Sequence, residues 1–301
     1  MTISHSIVDS LPIVRGVLHE NYPLSKKSWF GVGGPAEALF IPEDIDDLVY
    51  FLRNVPDEIP ITILGAISNV LIRDGGIPGV VILLGDSFKK IYVEDDILEV
   101  GAGVNCTRLS TFAMDAELGG LEFLMGLPGT VGGALKMNAG CYGSEISDFL
   151  VEFEGVTTSG QIKWFTKKNI KFAYRKSSIP DDLIITRAWF KCGLHVDYSI
   201  PKKVNSIIEK RKSSQPVNKR SCGSTFKNPQ GKKAWELIEK SGCHKMRVGG
   251  ASVSDKHCNF IINDANATAN DIETLGEKIV QKVFETSNIK LEWEIIRLGR
   301  K

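Results

Sequence analysis

Residues Gly126 to Gly143, GLPGTVGGALKMNAGCYG, hold six glycines in eighteen positions and a single charge, on Lys136. Glycine loses more backbone freedom on folding than any other residue, so this density needs a physical reason. A solvated surface loop would carry Ser, Asp and Lys. Here the run stays apolar between the turn signals Pro128-Gly129 and Asn138-Ala139-Gly140. That composition suits a backbone lying close to a planar or phosphorylated ligand, with Gly129, Thr130, Gly132, Gly133, Asn138 and Gly140 as contact candidates. A second turn, LGAISN, follows the apolar run Ile61 to Leu64 and offers Gly65, Ala66, Ser68 and Asn69. Successive backbone N–H groups in such a turn can form a nest for a diphosphate. Alone, this segment reads better as a plain strand-to-turn connection. Two glycine-rich turns in one region make a dinucleotide the economical expectation. A third segment, GVGGPA at Gly31 to Ala36, satisfies G-x-G-x-x-G/A, but polar residues precede it and a strand follows. A Rossmann site needs the opposite order and is rejected.

The elements that position these turns follow from periodicity. A short N-terminal helix is expected, then a strand at Glu37 to Pro42 and a helix with Ile45, Leu48, Val49 and Leu52 on one face. Apolar strands follow at Ile61 to Leu64 and Gly79 to Leu84, making a small β-α-β-β unit. Strand signals dominate from Lys90 to Cys192, with one helix near Thr107 to Glu117. Helices return at Pro201 to Lys212 and Ala234 to Lys240. A last helix starts at a capping box of Thr268 and Asp271, with Ile272, Leu275, Ile279 and Val283 as its apolar stripe. The chain should end in a strand, IKLEWEIIRL. The class is α+β, with domains expected over residues 1–85, 86–195 and 196–301.

At 301 residues, 43% hydrophobic, 24% charged and net charge +1, the chain reads as an ordinary globular protein. No global field favours nucleic acid or a membrane surface. The N-terminus lacks a basic region followed by an apolar one, and the six cysteines are scattered without a CxxC pair, so a cytoplasmic location is expected. His244 and His257 lack a carboxylate-rich neighbourhood, and no metal site is expected. From Lys210 to Lys233 the chain holds eight Lys/Arg and no Asp/Glu. This run reads as a solvated basic face, a nucleic-acid patch, or the preferred electropositive mouth for phosphates, with Lys212 as first candidate.

The set GVGGPA, LGAISNVLIRDGG, LEFLMGLPGTVGGALKMNAGCYG, FAYRKS, SCGSTFKNP and LEWEIIRLG resembles the UDP-N-acetylenolpyruvoylglucosamine reductases, in their shorter type II form, in order from Trp29 to Gly299. The resemblance implies a two-subdomain FAD-binding domain of the vanillyl-alcohol-oxidase type, followed by a smaller substrate-binding domain. It implies NADPH-dependent reduction of UDP-N-acetylglucosamine enolpyruvate to UDP-N-acetylmuramate through noncovalent FAD, for peptidoglycan synthesis. No obligate protein partner, nucleic acid or membrane is expected. Two departures stand out. Ala66-Ile67 replaces glycines, and β-branched Ile67 disfavours positive φ, so the turn is expected to differ locally. Trp293 stands where the family commonly has proline.

The same resemblance implies catalytic roles for Arg175, Ser224 and Glu294. A guanidinium suits the substrate carboxylate because it binds it bidentately and stays charged. Ser224 would donate the proton, with Glu294 orienting or relaying it and Glu292 on the same strand face. Tyr174 reads as packing beside the substrate. Lys227 and Asn228 would share a helical-turn face with Ser224 and contact substrate. Two other readings remain. One is an FAD-dependent alcohol or sugar oxidase of the same superfamily, against which no histidine occurs between His19 and His195 to link flavin covalently. The other is a nucleotide-sugar-binding protein without activity.

Overall fold

The computed structural model describes residues 6–194 and 199–301. Within them the chain divides into two compact units. The first comprises the described parts of Met1–Asn21, Glu37–Ala66 and Gly79–Lys210, and the second Tyr22–Ala36, Ile67–Pro78 and Arg211–Lys301. The boundary expected at residue 195 falls outside the described residues.

In the first unit, helix α1 (Ile45–Asn54) packs on a sheet ordered Val17–Pro23, Pro35–Ile41, Ile77–Leu83, Ile61–Leu64. The last two strands run parallel. Asp44 caps α1 by accepting the Asp47 N–H, and the buried Asp47 carboxylate accepts the backbone N–H groups of Arg15, Gly16 and Glu43. Those three bonds satisfy a carboxylate that would otherwise be costly to bury. A five-stranded antiparallel sheet follows, ordered Ile162–Thr166, Leu150–Thr157, Leu183–Lys191, Ile97–Gly101, Ile91–Glu94. Its core includes α2 (Cys106–Asp115), α3 (Val131–Met137) and the one-turn α4 (Ile146–Phe149). Helix α5 (Ser199–Ser214) leads out of this part of the chain.

The second unit is built on three antiparallel strands, Arg247–Val248, Ala251–Val253 and Ile261–Asn263, packed with α6 (Ala234–Lys240) and α7 (Ala269–Ser287). The Thr268/Asp271 capping box forms as the sequence predicts, and the Asp74 carboxylate accepts the next two backbone N–H groups, at Ala269 and Asn270. Val70–Ile72 pairs in parallel with Ile296–Leu298. Among the described residues, no helix is long and apolar enough to cross a membrane.

Four local expectations are corrected. The N-terminal helix is a 3-10 turn, Ile7–Ser10. A strand at Val17–Pro23 escaped notice because His, Glu and Asn break its alternation, as suits its mostly exposed edge position. The glycine run encloses a helix, α3, which two glycines in its first turn do not prevent. The final strand shrinks to Ile296–Leu298, because Glu292 to Glu294 turn instead to bond the segment around Thr225.

Trp293 explains a glycine in the middle of α7. A Cβ on Gly276 would lie 2.2 Å from the Trp293 ring. The indole fills that notch, donates to Glu277 at 3.0 Å and lies under the Arg297 guanidinium at 4.5 Å. Alanine normally exceeds glycine in a helix by about 1 kcal/mol. Here Gly276→Ala should lower the thermal unfolding midpoint, since overpacking costs about 1–3 kcal/mol. In a Trp293→Leu background the same change should raise it. A rise in the single variant would remove the notch from this account.

Candidate active site

The two glycine-rich turns of the first unit meet. Gly65, just past the strand Ile61–Leu64, faces Thr130 so closely that a Cβ would lie 2.5 Å from its hydroxyl. Thr130 caps α3 by accepting the Gly133 N–H. Gly129 sits at φ +148. Its carbonyl accepts from Cys106 N–H, while Val131 and Gly132 donate to the Val104 and Ala102 carbonyls. These bonds fix the turn's path. Gly65 and Gly133 remain exposed, and a Cβ on Gly133 would meet only the Thr130 hydroxyl, at 3.5 Å. Gly140 differs, because the Ser144 carbonyl takes the space of its Cβ at 2.4 Å. Asn138 caps α3 at its other end in the left-handed region, φ +43, and is wholly buried. Ala66, half-buried, closes this part of the turn.

Arg175 is the second residue of a tight turn between Phe172–Ala173 and Lys176–Ser177, at φ +55. Its guanidinium stacks over the exposed Tyr174 ring at 5.0 Å. Tyr174 therefore packs on the arginine.

In the second unit, Ser224 is half-buried and follows Gly223, which sits at φ +81 with open space around it. Its neighbour Thr225 is fully buried and fully bonded. The Thr225 N–H donates to the Asn259 carbonyl, its hydroxyl accepts from Ile261 N–H, and its carbonyl accepts from Glu294 N–H at 2.9 Å. That last bond brings Ser224 and Glu294 into one neighbourhood. Asn69 joins them, its amide donating to the Glu294 carbonyl at 3.1 Å and its own carbonyl accepting from Ile296 N–H. Ser68 is buried beside it. Sequence reasoning gave Asn259 and Thr225 no role. Asn259 brackets Phe226, accepting from its N–H at 3.0 Å and donating to its carbonyl at 2.8 Å. A lone Asn in HCNF carried no local signal of this.

The segment from Ser224 to Asn228 forms no helical turn, with a bend at Thr225, so no helical-turn face unites Ser224 with Lys227 and Asn228. Lys227 pairs with Glu292 at 3.5 Å, and the Asn228 side-chain oxygen accepts the Ala234 N–H at the start of α6. Glu292 is exposed on that pairing, away from a shared strand face with Glu294, which sits at a bend. Lys212, exposed at the end of α5, lines a cavity of about 760 Å³ with Lys219, Lys245, Arg247 and Lys256. Asp264 crosses that basic wall, pairing with Lys219 and Arg247. Burial pushes the Cys222 thiol, two residues before Ser224, up to about 12, which leaves it inert. His257 is held below its ordinary range by burial, and no metal-binding cluster of His, Cys, Asp and Glu occurs among the described residues.

Residues 215–298 match the C-terminal domain of UDP-N-acetylenolpyruvoylglucosamine reductase, and residues 36–166 match an FAD-binding domain. A UDP-N-acetylenolpyruvoylglucosamine reductase of Beijerinckia indica subsp. indica is 46% identical over 292 residues, covering 97% of this chain and 94% of the relative. The chain belongs to the UDP-N-acetylenolpyruvoylglucosamine reductase family. The Rickettsia prowazekii reductase is 48% identical over 290 residues, covering 96% of this chain and 98% of that one. The crystal structure of the Thermus caldophilus reductase (MurB) superposes with a TM-score of 0.82 at 34% identity, covering 95% of this chain and all of that one.

The residues of the first unit fit the FAD that such a reductase carries. Gly65 lets the Thr130 hydroxyl close against the first turn, and the open, exposed backbone at Gly133 leaves the clearance a flat or phosphorylated group requires.

Ile67 overturns one expectation. It adopts the positive φ, +51, that β-branching disfavours, and it is buried. Its carbonyl accepts from Trp29 N–H and the Cys222 thiol, so the surroundings hold the strain in place. Ile67→Gly would release strain of about 1–3 kcal/mol but delete a buried side chain worth about 2–5 kcal/mol. The thermal midpoint should therefore fall, with FAD affinity changed by less than about tenfold, or ~1.4 kcal/mol. A raised midpoint would mean that strain dominates. A hundredfold loss of FAD would mean that Ile67 packs on the cofactor.

Proposed function

We propose that this protein reduces UDP-N-acetylglucosamine enolpyruvate to UDP-N-acetylmuramate, with NADPH as hydride source and noncovalent FAD as carrier. What supports the reading is the Glu294 N–H to Thr225 carbonyl bond, which ties the segments of Ser224 and Glu294 together, within a chain nearly half identical to known reductases.

Gly65, Ala66, Ser68, Asn69 and the Gly129 to Gly140 turn would hold FAD, which supplies hydride to the methylene carbon of the enol ether. As that bond forms, negative charge builds on the adjacent carbon and its carboxylate. Arg175 binds the carboxylate and stabilises this charge. Ser224 delivers its hydroxyl proton to the carbon that bears the carboxylate, a step a weak acid can perform because the enolic species is strongly basic. Glu294 orients that hydroxyl or restores its proton. Lys212, with the basic cavity wall around it, suits the phosphates of the nucleotide ligands. Tyr174, Lys227 and Asn228 are placed with the substrate contacts more weakly, since each already packs or bonds within its own unit.

Purified, FAD-supplemented protein should be yellow, bleach with NADPH and release its flavin on acid precipitation. Colourless protein would sink the assignment, and flavin retained on the precipitate would favour the oxidase reading. Ser224→Ala should keep FAD and its reduction by NADPH, while reoxidation by UDP-N-acetylglucosamine enolpyruvate slows by ~10²–10⁴-fold. Rapid-mixing absorbance separates the two half-reactions. Equal slowing of both would make Ser224 structural, and reoxidation near the wild-type rate would remove it from the chemistry.

A further inference from the structure

Lys136 is the one charge in the glycine-rich run, and the cofactor cradle does not use it. Its ammonium donates to the carbonyls of Ile179 at 2.7 Å and Pro180 at 3.0 Å, and to the Asp181 carboxylate at 2.7 Å. Its own carbonyl accepts the Ser177 hydroxyl at 2.7 Å. Two residues on, the Asn138 amide donates to the Ala173 carbonyl at 3.1 Å and to Glu145 at 2.6 Å. Ala173 and Ser177 lie on opposite strands of the hairpin whose turn carries Arg175. The C-terminal end of α3 thus grips both strands of that hairpin.

The grip falls where the backbone needs it. Arg175 holds a left-handed φ of +55, a conformation that a side-chain-bearing residue keeps only when its surroundings over-determine it. Lys136 and Asp181 are themselves exposed enough that their ion pair adds little to stability. What the contacts do supply is direction. Three bonds from the Lys136 ammonium pin the chain just after the hairpin, Ile179 to Asp181. The Ser177 hydroxyl on the Lys136 carbonyl and the Asn138 amide on the Ala173 carbonyl tie its two strands to α3, whose other end begins at the cradle residues Thr130 and Gly133.

We propose that Lys136, seconded by Asn138, is a positioning residue for Arg175: its ammonium pins the chain where it leaves the hairpin, at Ile179 to Asp181, so that the guanidinium meets the substrate carboxylate in one orientation relative to the cofactor cradle. This rests on the reading of Arg175 as the carboxylate-binding residue. A purely structural lysine would show its loss in the unfolding midpoint; a positioning lysine shows it in the one half-reaction that uses Arg175.

The test uses FAD-loaded enzyme as wild type, Lys136→Met, Lys136→Arg, Arg175→Ala and the double variant Lys136→Met/Arg175→Ala. Each is reduced with NADPH and mixed rapidly with varied UDP-N-acetylglucosamine enolpyruvate. Lys136→Met should lower the ratio of maximal reoxidation rate to half-saturating substrate by ~10–10²-fold, as misplacement of a binding group does. Lys136→Arg, which can still donate to several carbonyls, should recover most of that loss. Once Arg175 is alanine, Lys136→Met should cost less than about twofold more, the signature of two residues acting as one unit. Fully additive losses, or a Lys136→Met enzyme within twofold of wild type, would overturn the role of Lys136 and leave Arg175 standing. Wild-type reoxidation by Arg175→Ala would overturn the reading of Arg175 and the proposal with it. Should Lys136→Met fail to fold or keep FAD, Ser177→Ala cuts the opposite strand's anchor and is judged by the same outcomes.

Discussion

Thr225 is the residue on which the segment around Ser224 depends. It is fully buried, and its N–H, hydroxyl and carbonyl bond to Asn259, Ile261 and Glu294, on two separate stretches of chain. A buried polar group left unpaired costs more than a formed bond contributes, so these bonds form together or the segment does not settle there. Their consequence is register. Ser224 stands one residue before Thr225 and Glu294 supplies one of its three partners, so the segments that carry Ser224 and Glu294 are joined by backbone bonding. Asn69 and Asn259 extend the same lattice on either side.

The first unit is constrained differently. Its glycine-rich turns converge because Gly65 can touch the Thr130 hydroxyl only without a Cβ, while Gly129 adopts a φ that few other residues would. The missing side chains leave a bare backbone surface that a flat cofactor can approach. Lys136 and Asn138, at the far end of the short helix, then bond the hairpin that carries Arg175 and the chain just after it. Glycines make the space and a lysine sets its bearing.

Trp293 shows how a departure from the family pattern is accommodated. Its backbone bridges to Phe226, two residues after Ser224, and its ring tilts against the Phe226 ring at 5.2 Å. The bulk is absorbed by Gly276 on α7 and the polar edge by Glu277, while Arg297 covers the face and also reaches Glu273, which Arg73 grips with two hydrogen bonds. A proline would restrict this backbone through its ring. Here long-range packing restricts it instead, next to Glu294.

The sequence by itself determined whatever is written in local pattern. The Thr268 and Asp271 capping box, the α1 stripe, the apolar strands and the density of glycine are nearest-neighbour statements, and the ordered motifs placed the chain in its family. The tertiary structure alone decided the rest. It placed α3 inside a run that reads as turn, forced Ile67 to a positive φ, cut the last strand short at Ile296, and joined Thr225 to Glu294 across some seventy positions of chain. Each of these depends on hydrogen bonds between residues far apart in sequence, and no periodicity of 2 or 3.6 residues carries information about a partner that distant.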